Sequence, residues 1–246
     1  MIRELKRLWV RSISLTIWLF EYVLFYPKLK RVLSSLPGLT HESVIFDVGA
    51  NRGQSIKFFW KIFPNIKIYS FEPSPNIFRK LRKLSSANLQ TYNIGLSSAD
   101  GTAVFHESIL DEASTFDLPD INSDWHKTKS KLLRVDKSEM YSEIEVPIRR
   151  IDNLVDENGI RDIFLLKIDV EGHEIKVLQG AQVTFEKRII KNIQIERHLN
   201  DLRVHNDAKI EELLLKHEFR RVASIRHSIG NFFEDVFTLE NQENRV

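Results

Sequence analysis

Four carboxylates stand in or just past apolar, β-rich runs of the chain. Asp47 lies in Val44-Ile45-Phe46-Asp47-Val48, Glu72 follows Ile66 to Phe71, Asp169 follows Ile163 to Ile168, and Glu196 follows Asn192 to Ile195. If these runs are parallel strands, their carboxyl ends share one edge of a sheet and the four acids line one cleft. The third acid opens a dense ionisable group, Asp169, Glu171, His173 and Glu174. A hydroxyl that attacks an electrophile must lose its proton, and a carboxylate or imidazole within hydrogen-bond reach can take it. Imidazole titrates nearest neutrality, which favours His173, whereas Asp169 lies nearer the strand end. The catalytic candidates are therefore Asp169, Glu171 and His173. The same group has the ligand types for a divalent cation, but a metal is not expected and none of these residues is assigned to one. The plainer alternative is that Glu171 and Glu174 cap the helix that follows.

The first acid is joined to a glycine turn. After Val48 come Gly49-Ala50-Asn51-Arg52-Gly53, and a helix-period segment opens at Gln54-Ser55-Ile56. Strand, tight glycine turn and helix form the entry of a nucleotide-binding α/β unit. Glycine suits the turn because backbone must come close to the ligand there. A carboxylate at Asp47 repels a pyrophosphate but suits a ligand bearing positive charge. S-adenosylmethionine carries a sulfonium and an ammonium and no phosphate. The glycine spacing does not complete the dinucleotide pattern. Glu72, about twenty residues after the turn, stands where an acid accepts hydrogen bonds from ribose hydroxyls; Pro73 after it also suits a helix start. The donor-binding candidates are Asp47, Gly49, Asn51, Gly53 and Glu72, with Ser97 of the Gly95-Leu96-Ser97 turn added.

The surrounding elements must hold these residues at one edge. Ile56, Phe59, Trp60 and Phe63 recur at helical spacing and should face a sheet. Ile66–Phe71 predicts a second strand, Pro73 and Pro75 start a helix carrying Ile77, Phe78, Leu81 and Leu84 inward, and Leu89–Ile94 predicts a third strand. Thr102–Phe105 and Ile144–Ile148 are short strand candidates, the latter placed at an edge because it contains Pro147. Asp111 to Leu133 is polar and reads as a surface excursion or lid. Ile151–Glu157 is a short helix, Ile163–Ile168 and Asn192–Glu196 are core strands, and Ala208–His217 is a helix. Phe219–Ile225 and Phe233–Leu239 close the chain as an antiparallel pair. Repeated βα units imply a mostly parallel, helix-covered sheet.

Composition narrows the classes. The 246 residues are 42% hydrophobic, long enough for one sizeable core. There is no cysteine, so disulfides and thiolate metal sites are excluded; the net charge of +2 argues neither for nor against nucleic acid or membrane, and the composition lacks a strongly basic face. Residues 1–39 form a separate segment: Arg3, Lys6, Arg7 and Arg11 precede an aromatic-rich apolar run, and Lys28, Lys30 and Arg31 follow it. Its uncharged stretch is too short to span a bilayer, and no small-residue cleavage site marks a signal peptide. It is expected to be a helical extension, packed on the domain or a second subunit, or lying on an anionic membrane surface through residues 1–31. Residues 40–246 are the catalytic domain, and the expected location is the cytoplasm, with the membrane periphery as the variant.

Taken together, Phe46-Asp47-Val48-Gly49-Ala50-Asn51-Arg52-Gly53, Phe71-Glu72-Pro73 and Lys167-Ile168-Asp169-Val170-Glu171-Gly172-His173-Glu174 with Leu178-Gln179-Gly180-Ala181 resemble the FkbM family of S-adenosylmethionine-dependent methyltransferases. The resemblance covers roughly Ser43 to Glu196. It implies an α/β class I methyltransferase (Rossmann-like) fold: a mostly parallel seven-stranded sheet with helices on both faces. It also implies methyl transfer to oxygen, commonly of a sugar or polyketide hydroxyl. By the resemblance, Asp47, Gly49, Asn51 and Gly53 map onto the donor turn, Glu72 onto the ribose-binding acid, and Asp169 and Glu171 onto the second signature. Asn51, where broader relatives often carry glycine, fits the narrower family; His173 falls at a variable position. Residues 1–39 and 111–133 have no counterpart, and acceptor choice is expected to lie there. The expected function is O-methylation of a saccharide, glycolipid or similar acceptor, without a nucleic-acid partner. A homo-oligomer, a nucleotide-dependent sugar-modifying enzyme or oxidoreductase, an RNA methyltransferase and a non-catalytic membrane-associated binding protein are the alternatives.

Overall fold

Val44–Val48 (β1) is buried at every residue, so both its faces must be covered, and the chain covers them with two sets of helices. The computed structural model describes residues 21–108, 114–118, 140–198, 204–228 and 232–240. The lid read into Asp111 to Leu133 falls largely outside these residues, as does the basic start of the N-terminal segment.

Seven strands form the main sheet in the order β3-β2-β1-β7-β8-β10-β9. They are β1, β2 (Lys67–Phe71), β3 (Leu89–Tyr92), β7 (Ile163–Ile168), β8 (Ile190–His198), β9 (Phe219–Arg226) and β10 (Phe232–Leu239). The β1–β2, β2–β3, β1–β7 and β7–β8 pairs are parallel, and β10 runs antiparallel to both β8 and β9. This is the class I methyltransferase architecture that the resemblance implied. The order reverses at β1, so β1 and β7 flank the switch point where open α/β sheets bind ligands.

The strand alternation sorts the core into two layers. Phe46, Val48, Leu166, Ile168, Ile193 and Ile195 point to one face, with Leu154 of α4 (Ile151–Glu157), Leu178 of α5 (Glu174–Gln179), Phe185 of α6 (Gln182–Glu186) and Leu214 of α7 (Val204–Lys216). Ile45, Phe164, Leu165 and Val236 point to the other, with Leu33 of α1 (Tyr26–Ser34), Ile56 and Phe59 of α2 (Gln54–Ile62) and Leu81 of α3 (Pro75–Leu81). A register shift between Val44 and Ile45 lets the adjacent Phe164 and Leu165 share that second face. Phe25, Leu29 and Leu33, in the described part of the N-terminal segment, are buried in this layer. Among the described residues no helix is long and apolar enough to cross a membrane.

A small second sheet, β4 (Gly95–Leu96), β6 (Tyr141–Arg149) and β5 (Gly101–Ser108), sits beside the first in the order β4-β6-β5. It corrects one expectation, because the strand with Pro147 is central and not an edge. Its partner β4 pairs only with Ile148 and Arg149. The ladder on that side therefore stops short of Pro147, whose missing N–H costs no bond there.

Candidate active site

The turn after β1 is built from backbone that side chains would obstruct. Gly49 has φ +77°, and a Cβ there would lie 1.8 Å from the carbonyl oxygen of Asp169. Gly53 has φ +82° and Asn51 φ +47°, a left-handed conformation that asparagine tolerates better than most residues. The N–H groups of the turn all find acceptors within the chain. Gly49 and Ala50 donate to the carbonyl of Phe71 at 3.0 and 3.1 Å, and Gly53 donates to that of Ala50 at 2.8 Å. Asn51 donates to Glu72 Oε2 at 2.9 Å and Arg52 to Gln54 Oε1 at 3.1 Å. The turn therefore presents no fan of N–H donors to a phosphate.

Glu72 ends β2 and accepts from two loops: its other oxygen, Oε1, takes the N–H of Ser74 at 2.9 Å. Burial pushes its carboxyl up to about 7, against these hydrogen bonds, which favour the charged form. Asp47 is wholly buried and takes a hydrogen bond from Ser55 at the start of α2, at 2.6 Å.

Lys167 is the cation between the two signatures. It pairs with Asp47 in the register of β1 and β7, so both side chains leave the sheet on the α2 face. Its ammonium lies 3.3 Å from Asp47 Oδ1, 3.1 Å from Asp169 Oδ2 and 3.3 Å from the Gly49 carbonyl oxygen. Burial disfavours that charge, but Asp169, Asp47 and Glu234 outweigh it and hold the ammonium's proton more tightly than usual.

Beyond β7 the chain turns sharply through Glu171 (φ +55°) and Gly172 (φ +112°). Glu174 accepts the N–H of Gly172 at 2.9 Å, which fixes the turn ahead of α5 and does not cap the helix N–H groups. The carbonyl of Glu171 is held by Thr115 Oγ1 at 2.8 Å. The carboxylates of Asp169, Glu171 and Glu196 come within 4.8 Å of one another, and Glu196, His227 and Glu234 do the same. His173 goes elsewhere: its Nε2 is 2.9 Å from Ser97 Oγ, its Nδ1 3.6 Å from Asp117 Oδ1, and its ring lies against Phe116.

With this geometry in place, comparison with known proteins decides the family. Residues 47–221 match the family described as the methyltransferase FkbM domain. The chain belongs to that family. It is 28% identical over 149 residues to the 2-O-methyltransferase NoeI of Sinorhizobium fredii, covering 59% of this chain and 60% of that protein. To the 31-O-demethyl-FK506 methyltransferase FkbM of Streptomyces tacrolimicus it is 31% identical over 159 residues, 56% of this chain and 59% of that one. To the hexuronic acid methyltransferase AglP of Haloferax volcanii it is 28% identical over 144 residues, 56% and 50% of the two chains. The chain thus spans about three fifths of the length of NoeI and FkbM.

The FkbM match takes in all the residues singled out from the sequence. The fold gathers Asp47, Gly49, Asn51, Gly53 and Glu72 around one turn and brings Asp169 and Glu171 to its open side. Ser97 and His173 form their own contact beside them. Lys167, Glu196, His227 and Glu234 complete the cluster and were not among the selected candidates. Glu196 had been noted only as one of four strand-end acids. Lys167 was legible as a lone charge inside an apolar strand, two residues before Asp169 and so on the same face. His227 and Glu234 gave no such signal, because only strand pairing brings them to Glu196.

Proposed function

We propose that this chain transfers a methyl group from S-adenosylmethionine to a hydroxyl oxygen of a saccharide or a similar acceptor. The observation that carries this reading is the turn from Gly49 to Gly53, whose N–H groups are spent inside the protein. A dinucleotide needs such groups for its pyrophosphate. A donor with a sulfonium, an ammonium and a ribose diol needs acceptors instead, and Asp47, Glu72 and Asp169 supply them. Bound there, the donor offers an electrophilic methyl group. Glu72 suits the ribose hydroxyls, Gly49 leaves room where a side chain would close the turn, and Asn51, Gly53 and Ser97 shape its border. Asp169 and Glu171, on the acceptor side, orient the hydroxyl and favour the loss of its proton. The 2-O-methyltransferase NoeI supports an oxygen as the methylated atom, and the hexuronic acid methyltransferase AglP supports a sugar as the acceptor.

Calorimetry with S-adenosylmethionine, S-adenosylhomocysteine and NAD tests the ligand class: the first two should bind and NAD should not. Release of S-adenosylhomocysteine in the presence of neutral methyl hexosides tests the acceptor. We also infer, from the burial of Phe25, Leu29 and Leu33, that Tyr26–Ser34 is a packing helix of the domain. Flotation of the full chain with anionic vesicles at low and high salt tests the membrane alternative, which requires salt-sensitive binding.

A further inference from the structure

The sheet register sets a polar row across the α2 face of an otherwise apolar sheet. Asp47 pairs with Lys167, and Lys167 with Gln194. Two residues further along β8, on the same face, Glu196 stands directly opposite Glu234 of β10. Like charges opposite each other across an antiparallel pair repel, so the pair favours a proton on one of its members, although Gln194 Nε2 donates to Glu234 Oε2 at 3.0 Å. The carboxylates of Glu196 and Asp169 also lie within 4.8 Å of each other. Two ionised carboxylates at that distance repel, which favours a proton on one of them.

Lys167 decides which one. Its ammonium lies 3.1 Å from Asp169 Oδ2 and 3.3 Å from Asp47 Oδ1, favouring charge on both. The charged and titratable groups packed against Glu196 are Asp169 and Glu171 from the loop after β7, Glu234 from β10, and His227 after β9, whose Nε2 is 3.9 Å from Glu196 Oε1. The arrangement therefore favours the proton on Glu196. We propose that Glu196 is the group that takes the proton of the acceptor hydroxyl, while Lys167 holds Asp169 ionised so that Asp169 orients the hydroxyl and does not accept from it. Burial first, and then the charges of Asp169, Glu234 and Glu171, push the Glu196 carboxyl well above its ordinary value.

This assignment rests on the methyl-transfer reading above. A donor sulfonium at the sheet edge lowers the proton affinity of the nearby acids, and Glu196 gives up its resting proton. The acceptor oxygen then bonds to the methyl carbon as the sulfur–methyl bond breaks, with its electron pair left on sulfur. The hydroxyl proton passes to Glu196. The products are a methyl ether, neutral S-adenosylhomocysteine and a protonated Glu196. His227, also 3.7 Å from Glu234, gives that proton a path outward.

The test is a pH titration of the full chain by infrared spectroscopy, comparing wild type, Glu196→Gln and Asp169→Asn. Near neutral pH a buried protonated carboxyl gives its own C=O stretch; Glu72 supplies one component common to all three proteins. The further component should vanish in Glu196→Gln and persist in Asp169→Asn. Should Glu196→Gln fail to fold, Asp169→Asn alone decides. Loss of the component there, or its survival in a folded Glu196→Gln protein, overturns the proposal. Turnover on neutral methyl hexosides gives a second readout. Glu196→Gln should lose at least about a hundredfold in kcat and lose the rise of rate with pH, with donor affinity kept. Asp169→Asn should keep a pH-dependent limb displaced to lower pH. Wild-type turnover by Glu196→Gln overturns the proposal. A wild-type protein that binds donor but methylates no hexoside counts against the acceptor class, and the infrared comparison still decides on Glu196.

Discussion

The two sides of the candidate site are built in different ways. On the donor side, between β1 and β3, the chain supplies short consecutive motifs, and backbone fixes them: positive φ at Gly49, Asn51 and Gly53, and a carboxylate, Glu72, that holds two loops by their N–H groups. On the acceptor side, between β7 and β10, side chains from four separated segments meet: Asp169 with Glu171, Glu196, His227 and Glu234. The donor side tolerates little change in shape, because its geometry is covalent and steric. The acceptor side is tuned by charge, so conservative substitutions there should leave the fold intact while changing chemistry. Gly49 and Lys167 are where the two sides touch.

The largest effect is expected where shape is tightest. Gly49→Ala must place a Cβ 1.8 Å from the Asp169 carbonyl oxygen at a φ that alanine resists. Thermal and denaturant unfolding should show a loss of at least about 3 kcal/mol, with donor binding lost as well. A stable, donor-binding Gly49→Ala protein would contradict the steric account of the turn. Next, Asp169→Asn should keep the fold and most donor affinity while slowing methyl transfer at least about a hundredfold, measured as S-adenosylhomocysteine release. If donor affinity collapsed instead, the division between the two sides would be wrong.

Glu72→Ala should weaken donor binding at least about tenfold by calorimetry, because hydrogen bonds to a charged group contribute roughly 1.5–3 kcal/mol each. Glu72 also gives a pH signature. Its folded value of about 7 lies above the ordinary 4.5, so the folded state binds the proton more tightly than the unfolded chain. Stability from this group is fully present below the ordinary value and declines as pH rises toward 7, by about 3 kcal/mol in total. Donor affinity should move the opposite way and tighten through pH 7, since ribose hydroxyls donate to the ionised form. Unfolding and calorimetric titrations between pH 5 and pH 8 check both signs. The smallest effect is expected at His173, which faces Ser97 and Asp117. His173→Ala should cost less than about tenfold in turnover; a loss of about a hundredfold or more in a folded variant would return the base role to histidine.

The sequence alone determined the glycine turn and the acid on the proposed donor side. An apolar run stopped by Gly49, a second glycine at Gly53 and an acid at Glu72 are local signals, because a turn's conformation is written in the residues that make it. The same holds for the strand-end position of Asp169 and for the antiparallel close of the chain. The edge assignment of the Pro147 strand was lost because it depended on the length of a partner, β4, that pairs with only two residues. Tertiary structure alone decided the acceptor side. Glu196 and Glu234 are opposite one another only through the register of β8 and β10, and His227 joins them only through the pairing of β9 with β10. Lys167 reads in sequence as a charge within a strand; its role comes from the β1–β7 register that sets it beside Asp47. Charge clusters of this kind arise from contacts between strands far apart in the chain, and such contacts are fixed by packing on both faces of the sheet.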